Sequence, residues 1–415
     1  MNPLLPLNVC VPDVEAREMP DGRLYLYGSW DIPGSPAYCS REYHVFSSAD
    51  METWTDHGVS FSADWLGIDD YLYAPDCIYH QGRYWLYYCT SGAGEGVAVA
   101  DSPAGPFEPY GKIAGADGDS IDPAVFVDDD GQAYYFWGQF QLRGAKLADD
   151  MTTLLPSTLC TEILTEWEHG FHEGASLRKR GDIYYLVYTD ISRGRATCMS
   201  YAWAKSPLGP YTKGGVIVDN TGCDPVSWNN HGSIAPYKGK WYVFYHRSSG
   251  GSITSRRVAA EPITFDADGR IAEVPMTSQG AGRIADGRFL IPASFACRMR
   301  TPFAGEAAGV RLAQEQGEEI LAQMKSGDWV EFRSVRIHSE VRRIHVLARV
   351  RKGGSLRFLL EESRLLARIE LSADGEWQEY GADLLPEEGC MRDHILWIYG
   401  DGQGLDCDIR EFRFL

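Results

Sequence analysis

A chain of 415 residues is too long for one typical domain and points to two, each able to bury its own core. With 44% hydrophobic and 23% charged residues, neither disorder nor a fibre is expected. A formal net charge of -19, with no Lys/Arg-rich run to offset it, argues against a nucleic-acid partner, and no stretch approaches the roughly 20 apolar residues of a membrane span.

The N-terminal run Met1 to Val9 has no basic n-region and no long apolar h-region. It reads as cytoplasmic, or as secreted if a signal peptide has been removed. The 10 cysteines are scattered singly, from Cys10 to Cys407, without the close pairs of a zinc or redox site, so buried free thiols are expected.

Five times the chain then shows a Gly-containing turn followed by an aromatic-rich β run. These begin at Gly22 (Gly-Arg-Leu-Tyr-Leu-Tyr), Gly82 (Gly-Arg-Tyr-Trp-Leu-Tyr), Gly131 (Gly-Gln-Ala-Tyr-Tyr-Phe), Gly181 (Gly-Asp-Ile-Tyr-Tyr-Leu) and Gly239 (Gly-Lys-Trp-Tyr-Val-Phe). Successive glycines lie 60, 49, 50 and 58 residues apart, the length of one four-stranded propeller blade. A second echo, Ala100-Asp-Ser-Pro-Ala-Gly-Pro-Phe against Ala204-Lys-Ser-Pro-Leu-Gly-Pro-Tyr, is separated by two blade lengths. The first 280 residues are therefore expected to form a five-bladed β-propeller.

Ahead of each glycine lies a short strand, the innermost of its blade, whose start carries an ionisable residue: Asp13, Asp76, Asp122, Glu173 and His231. They precede their glycines by 9, 6, 9, 8 and 8 residues. Equivalent positions on radially arranged blades converge at one end of the central channel, so the spacing predicts a ring of ionisable groups. Any one Asp beside a Pro reads by itself as a turn residue. Glycoside hydrolysis, however, needs carboxyl groups facing one small volume, an acid at the leaving oxygen and a base or nucleophile at the anomeric carbon. Asp13, Asp122 and Glu173 are the expected catalytic set, a third carboxylate serving to hold the acid's proton near neutrality. Trp30 and Trp137, each directly after a blade's second strand, are expected to stack on sugar.

From Asn8 to about Phe265 the chain resembles glycoside hydrolase family 43. The residues that carry the likeness are the Asn2-Pro-Leu-Leu-Pro opening, Val-Pro-Asp13, Tyr73-Ala-Pro-Asp76, Ser-Ile-Asp122-Pro-Ala, His-Glu173-Gly-Ala and Asn-His231-Gly-Ser. The resemblance implies inversion, with Asp13 as general base, Asp122 as pKa modulator and Glu173 as general acid, the base and acid roughly 6.5–9.5 Å apart. It further implies that Asp76 supports the substrate site, that Arg256 (or Arg257) reaches the terminal sugar, and that His231 approaches a hydrated calcium ion in the channel. A lone His taken by itself reads as a hydrogen-bonded core residue. No cofactor is required for the chemistry.

Past Gly280 the repeat stops, and alternating strands from about residue 293 to 415 predict a jelly-roll-like β-sandwich. This part resembles carbohydrate-binding module family 6, although Asp406-Cys-Asp-Ile-Arg stands where that family often has an Asn and a Trp. Sugar binding and a buttress for the propeller are both expected readings. The function expected of the whole is an exo-acting glycosidase releasing terminal α-L-arabinofuranose or β-D-xylose from plant-type oligo- or polysaccharides. The alternatives are a non-catalytic sugar-binding propeller, or a glycosidase for another sugar such as β-galactofuranose. Oligomeric state is left open.

Overall fold

The computed structural model describes residues 1–415 apart from 93, 117–119, 283–284, 303–308 and 386–391. Five antiparallel sheets succeed one another along the first 263 residues. Blade 1 comprises β1 (Glu15–Glu18), β2 (Leu24–Tyr27), β3 (Glu42–Ser48) and β4 (Trp54–Ser62). Blade 2 comprises β5 (Leu72–His80), β6 (Arg83–Thr90), β7 (Gly94–Ala100) and β8 (Glu108–Lys112). Blade 3 holds β9 (Ala124–Val127), β10 (Ala133–Trp137), β11 (Gln141–Lys146) and β12 (Cys160–Thr165). Blade 4 holds β13 (Phe171–Arg180), β14 (Ile183–Asp190), β15 (Cys198–Ala204) and β16 (Thr212–Asp219), and blade 5 has β17 (Ser233–Tyr237), β18 (Lys240–Ser249) and β19 (Ser252–Ile263). The inner strands β1, β5, β9, β13 and β17 each touch the next, and β17 touches β1, which closes the ring.

The doubled aromatics of the repeat have a structural cause. Successive side chains of a strand point to opposite faces, and each blade packs a neighbour on both faces. Tyr184, Leu186 and Tyr188 of β14 enter the apolar core shared with blade 3, while Tyr185 and Val187 enter the core shared with blade 5. Trp137 likewise lies in the core between blades 2 and 3, fully buried. The middle strands thus read as unbroken apolar runs rather than alternating ones.

Among the described residues blade 5 is a three-stranded sheet, and the N-terminal segment takes its outer edge. The Leu4 N–H donates to the Val258 carbonyl (3.0 Å), and the Asn2 amide both donates to the Ala260 carbonyl (3.0 Å) and accepts from its N–H (2.9 Å). The chain start is thereby tied to the last blade.

The second unit is a β-sandwich. One sheet is built on Trp329–Ile337, Arg392–Asp401, Gly354–Leu360 and Arg364–Leu371, the other on Arg311–Glu315, Glu318–Lys325, Asp406–Phe414, Arg343–Lys352 and Trp377–Asp383. Val330 and Phe332 of the first meet Leu321, Ile344 and Phe412 of the second in one core, which Leu7 of the N-terminal segment also joins. Conversely Cys297 enters the core between blades 4 and 5. The fold expected from the repeat is therefore the one observed. Nine cysteines are free, all but Cys160 buried, and Cys390 lies outside the described residues.

Candidate active site

Two of the three expected catalytic acids sit in the same unusual backbone conformation. Asp13 (φ 58°) and Asp122 (φ 55°) occupy the left-handed region just before β1 and β9, a conformation Asp tolerates because its short side chain bonds nearby backbone. Glu173 projects from β13 at an irregularity in its pairing with β14. All three line one pocket of about 260 Å³ at the end of the channel, together with His231, Arg256 and, at its mouth, Trp228.

The surroundings shift the two aspartates in opposite directions. Burial alone would raise the Asp13 carboxyl, but the Arg256 guanidinium at 2.9 Å, with His246 at 3.4 Å and His231 at 3.6 Å, holds it well below the usual carboxylate range. The Ser29 hydroxyl donates to its other oxygen at 2.7 Å. Asp122 goes the other way: burial, then the charges of Glu173 and Asp13, push it well above its ordinary value, only partly offset by the Gly174 N–H. Glu173 accepts from the Gln139 amide at 2.8 Å. The site thus sets a carboxyl whose proton affinity is lowered, Asp13, in one pocket with one whose proton affinity is raised, Asp122, beside Glu173.

Three expected substrate contacts do not reach the pocket. Asp76 is fully buried beneath it, clamped by both arms of Arg17 (2.9 and 2.7 Å) and by the Val125 N–H (2.8 Å). Its spacing of 6 residues from the turn glycine, against 8 or 9 elsewhere, sets it deeper in the channel, and Tyr73, at the regular spacing of 9, lines the pocket instead. Trp137 is committed to the core between blades 2 and 3. Trp30 stacks on His44 (centroids 3.8 Å apart) against the core between blades 5 and 1. Arg256, not Arg257, faces the site; Arg257 is its neighbour on the other face of β19, fully buried beside Cys10.

The sequence reading missed Tyr38, Cys39, Gln139, His172 and Asn229, which line the pocket, and Asp31 and His246 behind it. One signal was available. The intervals of 60 and 58 residues between glycines exceed the others because the β2–β3 connection (residues 28–41) and the β16–β17 connection (residues 220–232) are long. Long loops on a rigid scaffold are where binding groups collect, and these two supply Asp31, Tyr38 and Cys39, and Trp228, Asn229 and His231.

His231 was expected to approach calcium through water, and its surroundings among the described residues offer no set of protein ligands that would hold the ion directly. Calcium takes six to eight oxygen ligands, whereas the imidazole, whose protonation burial disfavours, faces the carboxylates of Asp13 and Glu173, the His246 ring and the cation of Arg256. Among the described residues no group of three or more His, Cys, Asp or Glu is placed to hold a metal.

A five-bladed propeller with three carboxyl groups, Asp13, Asp122 and Glu173, gathered in one pocket at its channel end is the architecture of a glycoside hydrolase. The model of glycosyl hydrolases family 43 matches residues 2–271, and the chain belongs to that family. Its members invert the anomeric centre, and their catalysis needs no cofactor. A xylosidase/arabinosidase from Thermoclostridium stercorarium is 35% identical over 353 residues, covering 74% of this chain and 72% of that one. A β-xylosidase/α-arabinofuranosidase of the family from a compost microbial metagenome, solved with xylotriose in a calcium-free form, superposes with a TM-score of 0.58 at 32% identity. That alignment covers 66% of this chain and 97% of the other. An arabinoxylan arabinofuranohydrolase from Bacillus subtilis spans 100% of this chain and 97% of its own at 23% identity and a TM-score of 0.55, a likeness of fold that includes the sandwich.

Proposed function

We propose that the enzyme is exo-acting and releases a terminal α-L-arabinofuranosyl or β-D-xylosyl residue from plant-type oligo- or polysaccharides, with Asp13 as general base, Glu173 as general acid and Asp122 as the group that keeps the acid's proton. The observation that carries this reading is the gathering of Asp13, Asp122 and Glu173 in one small pocket, with Arg256 paired to Asp13 at 2.9 Å and burial acting on Asp122. An ionised Asp13 takes the proton of a water attacking the anomeric carbon. Across the sugar, the carboxyl pair of Glu173 and Asp122 supplies the proton to the departing oxygen. A pocket closed by Asp13, His231 and Arg256 suits a chain end, with the rest of the chain leaving past Trp228.

The sugar assignment draws on the relatives: a xylosidase/arabinosidase and a structure holding xylotriose. A β-D-galactofuranosidase from Aspergillus niger, 29% identical over 63% of this chain, makes β-galactofuranose the second candidate. The deciding experiment is a panel of nitrophenyl α-L-arabinofuranoside, β-D-xyloside and β-D-galactofuranoside, repeated with the natural oligosaccharide of the best sugar. Asp13→Asn lowers the rate on both substrates by at least ~100-fold, and Glu173→Gln does so on the oligosaccharide. Glu173→Gln loses less on the nitrophenyl glycoside, whose leaving group needs little protonation. Near wild-type rates on the oligosaccharide for either variant would sink the assignment.

For the sandwich, a buttressing role is the better supported reading. Beyond the shared cores, the Leu7 N–H donates to Glu319 (2.6 Å) and the Met299 N–H to the Gly222 carbonyl (2.8 Å). In the stretch that stands where module family 6 often has an Asn and a Trp, Asp408 is paired with Arg349 and Arg351, each at 2.6 Å.

A further inference from the structure

Asp31 lies in the long β2–β3 connection, without a catalytic signature in the sequence, yet four donors converge on its fully buried carboxylate. Oδ1 accepts from the Cys39 N–H and from Arg256 Nη2, both at 2.9 Å. Oδ2 accepts from Arg256 Nε at 2.9 Å and from the Arg256 backbone N–H at 3.1 Å. Asp31 therefore grips one edge of the Arg256 guanidinium and the backbone that carries it, joining blade 1 to blade 5.

A guanidinium has five N–H donors in a fixed plane. Nε and one Nη2 hydrogen go to Asp31, and the second Nη2 hydrogen points to Cys39 Sγ at 3.4 Å. One Nη1 hydrogen goes to Asp13 Oδ1 at 2.9 Å. Among the described residues this leaves a single N–H for a ligand, on Nη1, the nitrogen that already holds Asp13. The Tyr38 ring, 4.8 Å from the guanidinium carbon, covers one face of the plane.

We propose that Asp31 is a positioning residue that clamps Arg256 so that one nitrogen, Nη1, serves both the carboxylate of Asp13 and a hydroxyl of the terminal sugar. Binding of the correct chain end and the charge state of the base are then linked through one rigid group. The inference rests on Asp13 as the general base. Aspartate is demanded because every group aimed at residue 31 is a donor. An asparagine turns an N–H toward donors and forfeits at least one arm of the clamp.

The test is the pH profile of kcat/KM. Asp13 is faced by Arg256 from β19, His246 from β18, His231 ahead of β17 and the Ser29 hydroxyl, with Asp122 beyond. Asp31 itself is faced by Arg256, Tyr38, Cys39 and Cys10. If the clamp fails, Arg256 withdraws, burial dominates at Asp13, and the acid limb moves to higher pH. If Asp31 were only a negative charge, its removal would leave the guanidinium charge more fully on Asp13 and move the limb to lower pH. The expectation for Asp31→Asn is a loss of about 10- to 100-fold in kcat/KM near pH 5, shrinking as pH rises, with KM increased. Asp31→Glu keeps the charge but adds a methylene that displaces the guanidinium, and it should shift the limb in the same direction. It also stands in should the Asn variant not fold. An acid limb that stays in place, or moves lower, in the folded variants overturns the clamp. Asp13→Asn run in parallel separates the two ideas: if it is active the base assignment fails, and if it is inactive while the Asp31 variants keep the wild-type limb, only the clamp fails.

Discussion

Gly174, the residue after Glu173, packs its backbone against the imidazole of His231 so closely that a methyl group there would stand 2.7 Å from His231 Cδ2. Its φ of +70° is also unfavourable for any side chain. The same residue aims its N–H at Asp122, so it spaces three members of the site. Gly174→Ala is expected to cut kcat by ~10-fold or more, since a shift of about 1 Å at a catalytic group costs up to about 100-fold. Steady-state kinetics at unchanged substrate saturation checks this, and an unaltered kcat in the alanine variant counts against the spacing role.

Glu95 of β7 is buried behind the site, with neither carboxyl oxygen hydrogen-bonded among the described residues and the Tyr135 hydroxyl beside it. Burial pushes its carboxyl up to about 8. The sign follows from linkage: the folded state keeps a proton that the unfolded chain has released above its ordinary value, so stability is greatest at low pH and falls as pH rises toward 8. By pH 8 the loss is on the order of a few kcal/mol. Glu95→Gln should therefore melt higher than wild type at pH 8 and alike at pH 5. A gap in Tm that does not change with pH speaks against a protonated Glu95.

Closure of the ring depends on Asn2. Besides its two bonds to Ala260, its amide donates to Glu261 at 2.8 Å. Asn2→Ala leaves those groups buried and without this partner, at a cost of about 1–3 kcal/mol. Urea denaturation with unchanged m should show it, and kcat measured on the folded enzyme should not fall.

Trp228, half-exposed at the pocket mouth with Arg195 over its ring at 5.9 Å, is placed to stack on the sugar next to the scissile bond. Trp228→Ala is expected to raise KM for oligosaccharides about 2- to 10-fold, the worth of one aromatic stacking contact, with kcat little changed. Equal KM for wild type and variant would remove Trp228 from substrate recognition.

A chain ending near Gly280 tests the buttress. It would uncover the apolar surface that Leu7, Cys297 and Met299 now bridge, and it should aggregate or melt well below the full chain. A soluble, fully active truncation that has merely lost polysaccharide affinity would instead restore the sugar-binding reading.

The five blades and the three acids were legible because a propeller repeats. One spacing, about nine residues ahead of each turn glycine, names Asp13 and Asp122 and comes within one residue of Glu173 and His231. Applied strictly it also selects Tyr73 over Asp76, so that error came from favouring a charged residue over the register. Trp30 and Trp137 were misplaced because whether an aromatic at a strand end turns to the pocket or into an inter-blade core depends on which face of its strand it occupies.

Four of the five positions in the channel-end ring, Asp13, Asp122, Glu173 and His231, were thus legible in the sequence alone, and the fifth is Tyr73 in place of Asp76. Only the tertiary structure decided which way the proton affinity of each aspartate is shifted. The proton affinity of Asp13 is lowered and that of Asp122 raised because Arg256, some 240 residues from Asp13 along the chain, is brought to 2.9 Å from one, while burial and the charge of Glu173 act on the other. Charge acts through distance and burial, and a distance between blade 1 and blade 5 exists only once the ring has closed.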